Sequence, residues 1–88
     1  MSKIIWHATP TLDDLHERQK GTLGDHLGIR FVEVQQDALL ASMAIEARLK
    51  QPAGIMHGGI NCVLSETVGS TAANFCIVSD QYFCVGLE

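Results

Sequence analysis

The stretch KQPAGIMHGGINCVLSETVGSTAANFCI, residues 50–77, decides the fold. From Gly59 to about Ile77, the residues Ile60, Val63, Leu64, Val68, Thr71, Ala72 and Phe75 recur at helical spacing, which predicts one long helix. Its opposite side carries Cys62, Gly69 and Ala73, small where a surface helix is charged. The pattern therefore predicts a helix enclosed by other backbone. Glu66 is the only formally charged residue between Gln51 and Ser79. Desolvating an ionised carboxylate is costly, so such a group finds partners or is kept for chemistry. Seven positions before it ends the triplet His57-Gly58-Gly59, at a helix start where backbone N–H groups favour negative charge.

Upstream, Thr11-x-x-Asp14 resembles a capping box, and Leu12 and Leu15 share a face. This predicts a short surface-covering helix from about Leu12 to about Lys20, stopped near Gly21 and Gly24. From Gly28 the period falls to two. Phe31, Val32 and Val34 precede Gln36-Asp37, after which Leu39, Ala41, Met43 and Ile45 share a face. The reading is a strand pair with a tight turn, or one long bent strand. Glu46 to Gln51 is a polar exit loop, and Pro52 and Gly54 keep the next residues irregular. After the long helix, Ser79-Asp80-Gln81 leads into a second β run, Tyr82 to Leu87. The order of elements predicts an α+β domain.

Eighty-eight residues allow a single domain with a small core. Six Lys and Arg against ten Asp and Glu, a formal net charge of -4, with no basic stripe, argue against nucleic acid as a partner. The N-terminus is too quickly polar for a secretory segment, and Ile60 to Val78 is too polar to span a bilayer. Cys62, Cys76 and Cys84 are an odd number without CxxC spacing and read as free thiols in a reducing compartment. The expectation is a soluble cytoplasmic protein with no membrane association. His57 and Glu66, nine positions apart across a loop-helix join, do not pair as metal ligands, so no metal is expected.

Helical geometry places Ser70 one turn beyond Glu66 and Gly59 two turns before it, on the same face. Gln51 and His57 flank the loop that enters the helix. Together these groups offer an amide, an imidazole, glycine N–H donors, a carboxylate and a hydroxyl, a set suited to cleaving an ester or thioester. Each also has a plainer reading. A buried Glu can pair with a charge elsewhere, His57 can be a structural hydrogen-bonding group, and the triplet can be only a glycine-rich turn. Ser70 can serve close packing, and Gln51 can cap the loop.

Two runs, Lys50-Gln51-Pro52-Ala53-Gly54-Ile55-Met56-His57-Gly58-Gly59 and Leu64-Ser65-Glu66-Thr67-Val68-Gly69-Ser70, closely resemble the hotdog-fold thioesterases of the PaaI-like branch. Within that branch the sequence is most similar to bacterial esterases of 1,4-dihydroxy-2-naphthoyl-CoA and to thioesterases that proofread aryl carrier proteins. The resemblance runs from Ile5-Trp6 through His26-Leu27-Gly28-Ile29 to Val85-Gly86-Leu87-Glu88. It implies a hotdog fold, a long central helix wrapped by an antiparallel sheet. It also implies hydrolysis of an aromatic acyl-CoA or acyl-carrier-protein thioester without a cofactor, with menaquinone biosynthesis as one setting. Carried over, Glu66 is the nucleophile or general base and the Gly58 N–H polarises the carbonyl. Gln51 and His57 position the carbonyl and the thiol leaving group, Ser70 orients Glu66 or its water, and Gly59 and Met56 bind substrate. A hotdog hydratase or dehydratase is a lesser alternative, because its usual histidine and carboxylate are arranged differently.

Members of that family continue past the Val-Gly-Leu-Glu strand with three further strands. The resemblance therefore implies that residues 1–88 are one partial hotdog domain lacking those strands, and an inactive remnant or assembly-dependent fragment stands as the alternative. It further implies a homodimer or a dimer of dimers, paired along Tyr82 to Leu87, with each site built from two subunits.

Overall fold

The computed structural model describes residues 3–77. Helix α1 spans Leu12–Gln19, α2 spans Leu23–Leu27, strand β1 spans Ile29–Val34, β2 spans Leu39–Met43, and α3 spans Gly58–Cys76. A single 3-10 turn, Ala47–Leu49, precedes α3. The second β run expected at Tyr82 to Leu87 lies outside the described residues.

Helix α1 begins where the capping pattern places it. The Thr11 hydroxyl accepts the Asp14 N–H at 3.2 Å, satisfying one of the helix's first N–H groups. Leu15 points inward at 2% exposure. On the outer side, Arg18 pairs with Asp14 at 2.9 Å and Lys20 with Glu17 at 2.7 Å. The Glu17 carboxylate raises the Lys20 ammonium pKa, by hydrogen bond first and by charge second. Exposed pairs of this kind stabilise little.

The helix stops at Lys20, and Gly21 takes a φ of +76°. Gly24, expected as a second stop, instead lies buried inside α2, which Thr22 caps and Gly28 ends at a φ of +80°. Its reason is close approach. A Cβ on Gly24 would lie 2.9 Å from Gln19 Oε1, so the missing side chain leaves room for the Gln19 amide, while Thr67 Cγ2 of α3, at 3.5 Å, would be in ordinary contact.

The strands form an antiparallel pair with Ile29 opposite Met43 and Phe31 opposite Ala41. A bulge between Phe31 and Glu33 turns Val32 outward to 53% exposure. Ile45 lies beyond β2 and is exposed, so the shared face ends at Met43. Leu49, within what reads as a polar exit loop, is a core residue at 3% exposure. With Trp6, Leu15, Leu27, Ile29 and Phe31 it forms the buried core.

The N-terminal segment ties the elements together. Trp6 Nε1 donates to the Gln35 carbonyl at 2.7 Å, and Ile5 N–H donates to Gln36 at 2.9 Å, both at the hairpin turn. His7 and Ala8 N–H groups donate to the Phe75 carbonyl at 2.9 and 3.2 Å, satisfying a carbonyl of the last turn of α3 that has no partner within the helix.

The long helix departs from expectation in its surroundings. Residues 58–76 form it as predicted, but none of them is buried, and Cys62 and Glu66 are exposed. The reason is dimensional. A helix of 19 residues is about 28 Å long and about 10 Å thick, whereas two paired strands form a ribbon only about 10 Å wide. The described strands cover one side of the helix only.

Removing the most deeply buried side chain tests this core. Leu15→Ala should cost about 2–5 kcal/mol, seen as a lowered denaturant midpoint at unchanged slope.

Candidate active site

The chain enters α3 through a closed loop. Leu49 anchors it in the core, and its carbonyl accepts the His57 N–H at 2.8 Å. Inside that closure Lys50 and Met56 form a β-bridge, and the Gln51 N–H donates to Ile55 at 2.8 Å. Gly54 makes the turn at a φ of +86°, a conformation costly for a residue with a Cβ. The loop thereby presents Gln51 and His57 at the N-terminal end of α3.

His57 is the N-cap. Its Nδ1 accepts the Gly59 N–H at 3.0 Å. An accepting Nδ1 puts the hydrogen of a neutral imidazole on Nε2, which is then left to donate outward. Of the two glycine N–H groups expected to be open to a ligand, only that of Gly58 is. It has no partner among the described residues, and the space beside its Cα is empty to 4 Å. Gly59 serves the cap itself, since a Cβ there would lie 3.1 Å from His57 Nδ1.

Further along the helix, the Ser70 hydroxyl donates to Glu66 Oε1 at 2.8 Å, the i+4 pairing the spacing predicts. Glu66 is exposed rather than buried, so it faces solvent instead of a closed apolar interior. Its second oxygen has no partner among the described residues.

The structure does not gather these groups around one point. Gly58 and Glu66 are eight positions apart on a continuous helix, about 12 Å along its axis. A groove of about 950 Å³ between α1–α2 and α3 has Glu66 and Ser70 on its wall, but not Gln51, Met56, His57, Gly58 or Gly59. One chain thus carries two separate groups, a carboxylate with its hydroxyl and a helix end with its loop.

The groove's other wall comes from α1, which sequence reading treats as a cover. Leu15 and Arg18 line it, and the Arg18 guanidinium lies 5.0 Å from the centre of the Phe75 ring. No signal in the sequence joins positions 18 and 75, because tertiary packing alone brings them together. Cys62 and Cys76 are free thiols, and Cys84 lies outside the described residues. Among the described residues no helix is long and apolar enough to cross a membrane. Nor is any group of three metal-ligating side chains found among them.

No family model matches the chain. It is 40% identical to a 1,4-dihydroxy-2-naphthoyl-CoA hydrolase of Escherichia coli strain K12, over 97% of this chain and 62% of that protein. It is 39% identical to the proofreading thioesterase EntH of Cronobacter turicensis, over 97% and 61%. The crystal structure of a mutant thioesterase PA1618 from Pseudomonas aeruginosa superposes with a TM-score of 0.90 at 45% identity, covering 96% of this chain and 60% of that one. The chain therefore spans about 60% of the length of the proteins it matches. Over that shared portion it has the α+β hotdog fold expected from the sequence, represented in the described residues by the long helix and an antiparallel strand pair.

The cap geometry separates the two glycines. Gly58→Ala should be neutral to stabilising by up to about 1 kcal/mol, from the higher helix propensity of alanine. Gly59→Ala should lack that gain because it displaces the His57 ring, leaving the two variants about 1 kcal/mol apart in thermal melts.

Proposed function

We propose that this chain, a relative of bacterial thioesterases over the portion it shares with them, forms one partial hotdog domain (residues 1–88) and supplies the residues that cleave an aromatic acyl thioester of CoA or of a carrier protein. The observation that carries this reading is the exposed Glu66–Ser70 pair on the wall of a largely apolar groove. The name of the Escherichia coli relative supports an aromatic acyl-CoA, and that of the Cronobacter relative supports a thioester in general.

In this reading Glu66 acts on the thioester carbonyl carbon. Its carboxylate either attacks directly, forming a mixed anhydride as the C–S bond breaks and the thiolate leaves, or takes a proton from the water that attacks. Both routes place negative charge on the carbonyl oxygen. The Gly58 N–H at the helix N-terminus is the donor for that charge. Ser70 holds one Glu66 oxygen and leaves the other for the reaction. His57 Nε2–H and the Gln51 amide orient the carbonyl and the leaving thiol, and Met56 and Gly59 flank the thioester.

The 12 Å axial offset supports a site made by two chains. Within one helix, a carbonyl at about 3 Å from both Gly58 and Glu66 requires the Glu66 side chain to reach fully back along the axis. In a homodimer with two-fold symmetry, the half-site of one chain meets the complementary half-site of its partner, and two equivalent sites result. A dimer of dimers keeps the same arrangement.

Glu66→Gln should abolish CoA release from an aroyl-CoA while leaving the melting temperature nearly unchanged, since an exposed carboxylate with one hydroxyl partner contributes little to folding. Turnover at the wild-type level removes Glu66 from the mechanism. Mixing separately inactive Glu66→Gln and His57→Ala chains tests the shared site. Random reassortment into symmetric dimers should restore about a quarter of wild-type activity, whereas sites built within one chain stay inactive after mixing.

A further inference from the structure

The α-helices among the described residues are not capped alike. The Thr11 and Thr22 hydroxyls accept N–H groups at the starts of α1 and α2, and a hydroxyl keeps that capacity whatever the pH. Helix α3 is opened by an imidazole instead, His57 Nδ1 accepting the Gly59 N–H at 3.0 Å. Histidine is outside the residue types that usually cap helices, and this one stands on the helix that carries the candidate site. His57 is exposed, so protons from solvent reach it.

The cap depends on the charge of the ring. A neutral imidazole with its hydrogen on Nε2 offers a lone pair at Nδ1, whereas the cation carries N–H at both nitrogens and accepts nothing. Turning the ring over does not help, since either nitrogen then sets a donor against the Gly59 donor. Nothing nearby holds the cation in place. The helix start has positive character, its first turn has no acidic residue, and no carboxylate pairs with His57 among the described residues. Of the charged side chains leading up to it, Glu46 pairs with Arg48 at 2.7 Å, which leaves Lys50, of like sign. Glu66 lies more than two turns along α3. The backbone of His57, by contrast, is held on both sides. Its N–H donates to the Leu49 carbonyl at 2.8 Å, and its carbonyl accepts the Ile60 N–H at 3.0 Å. The ring is therefore free to swing about its own side-chain bonds without unwinding the helix.

We propose that His57 is a pH-sensitive switch at the start of α3. The neutral ring caps the helix and holds Nε2–H in the direction the proposed chemistry uses. The protonated ring releases Gly59 and turns to water, so the cap and that direction are lost together. Histidine suits the task because it gains its second proton between about pH 5 and 8. The effect on hydrolysis rests on the thioesterase reading, whereas the change of cap does not.

Nuclear magnetic resonance of the full chain across about pH 5 to 8 follows the Gly59 amide and the His57 ring protons together. Both should move with one midpoint. Exchange of the Gly59 amide, corrected for its ordinary pH dependence, should quicken about fivefold on the acid side, as for the loss of a helix cap. His57→Asn keeps an accepting oxygen that does not titrate, so its Gly59 amide should hold one position throughout. A Gly59 amide that stays fixed while the wild-type ring titrates overturns the proposal.

Hydrolysis of an aroyl-CoA gives a second readout. Below the midpoint seen by resonance, kcat/KM should fall about tenfold per pH unit, as when one proton inactivates a site. In His57→Asn that step should vanish from the profile, whatever rate remains. A rate level through the His57 transition, or one that falls only with another group such as Glu66, counts against the switch. If no thioester is cleaved at any pH, the thioesterase reading fails, and the Gly59 amide still decides the change of cap.

Discussion

Two hydrogen bonds from the backbone of His7 and Ala8 to the Phe75 carbonyl fix the far end of the long helix. The same N-terminal segment reaches the hairpin turn through Trp6 and Ile5, so the end of α3 and the end of the strand pair are held by one piece of chain. At the other end, the His57 N–H to Leu49 carbonyl bond sets where the helix begins, and Leu49 is itself part of the core. Held at both ends, a helix of 19 residues keeps its position although no residue of it is fully buried. The groove between α1–α2 and α3 follows from that suspension.

The geometry of a continuous helix also restrains what one chain does alone. Side chains one turn apart meet, as Ser70 and Glu66 do, whereas groups two turns apart do not share a ligand atom. The helix N-terminus carries the open Gly58 N–H and the His57 imidazole, and the loop before it carries Gln51. The third and fourth turns carry the carboxylate and its hydroxyl. Separating the anion from the anion-binding end also has an electrostatic use. In the proposed reaction, that separation keeps the Gly58 N–H available for charge that develops on a substrate, instead of being saturated by Glu66.

Gly59 and Gly24 illustrate how small residues serve this arrangement by different means. Gly59 leaves room for the His57 ring to fold over the first turn, which fixes the tautomer and the direction of Nε2. Gly24 leaves room for the Gln19 side chain, which donates to the Ile29 carbonyl and so ties α1 to β1. The sequence pattern marks both as punctuation, and each is the second residue of its helix.

What the sequence determined by itself is local. The Thr11 cap, the β-period on either side of Gln36-Asp37, the apolar repeat from Gly59 onward and the Glu66–Ser70 pairing all depend on neighbours within four residues, whose geometry the backbone dictates. The resemblance added the hotdog architecture by the same route, through contiguous motifs. What only the tertiary structure decided is exposure and distance. Small residues opposite an apolar stripe predict enclosure, but enclosure depends on how many strands lie against the helix, and the two described cover one side. The Arg18–Phe75 contact and the burial of Leu49 are equally silent in the sequence, because each depends on packing between elements far apart in the chain. A surface helix and a groove wall can have the same local sequence, and the difference lies in what the fold sets opposite them.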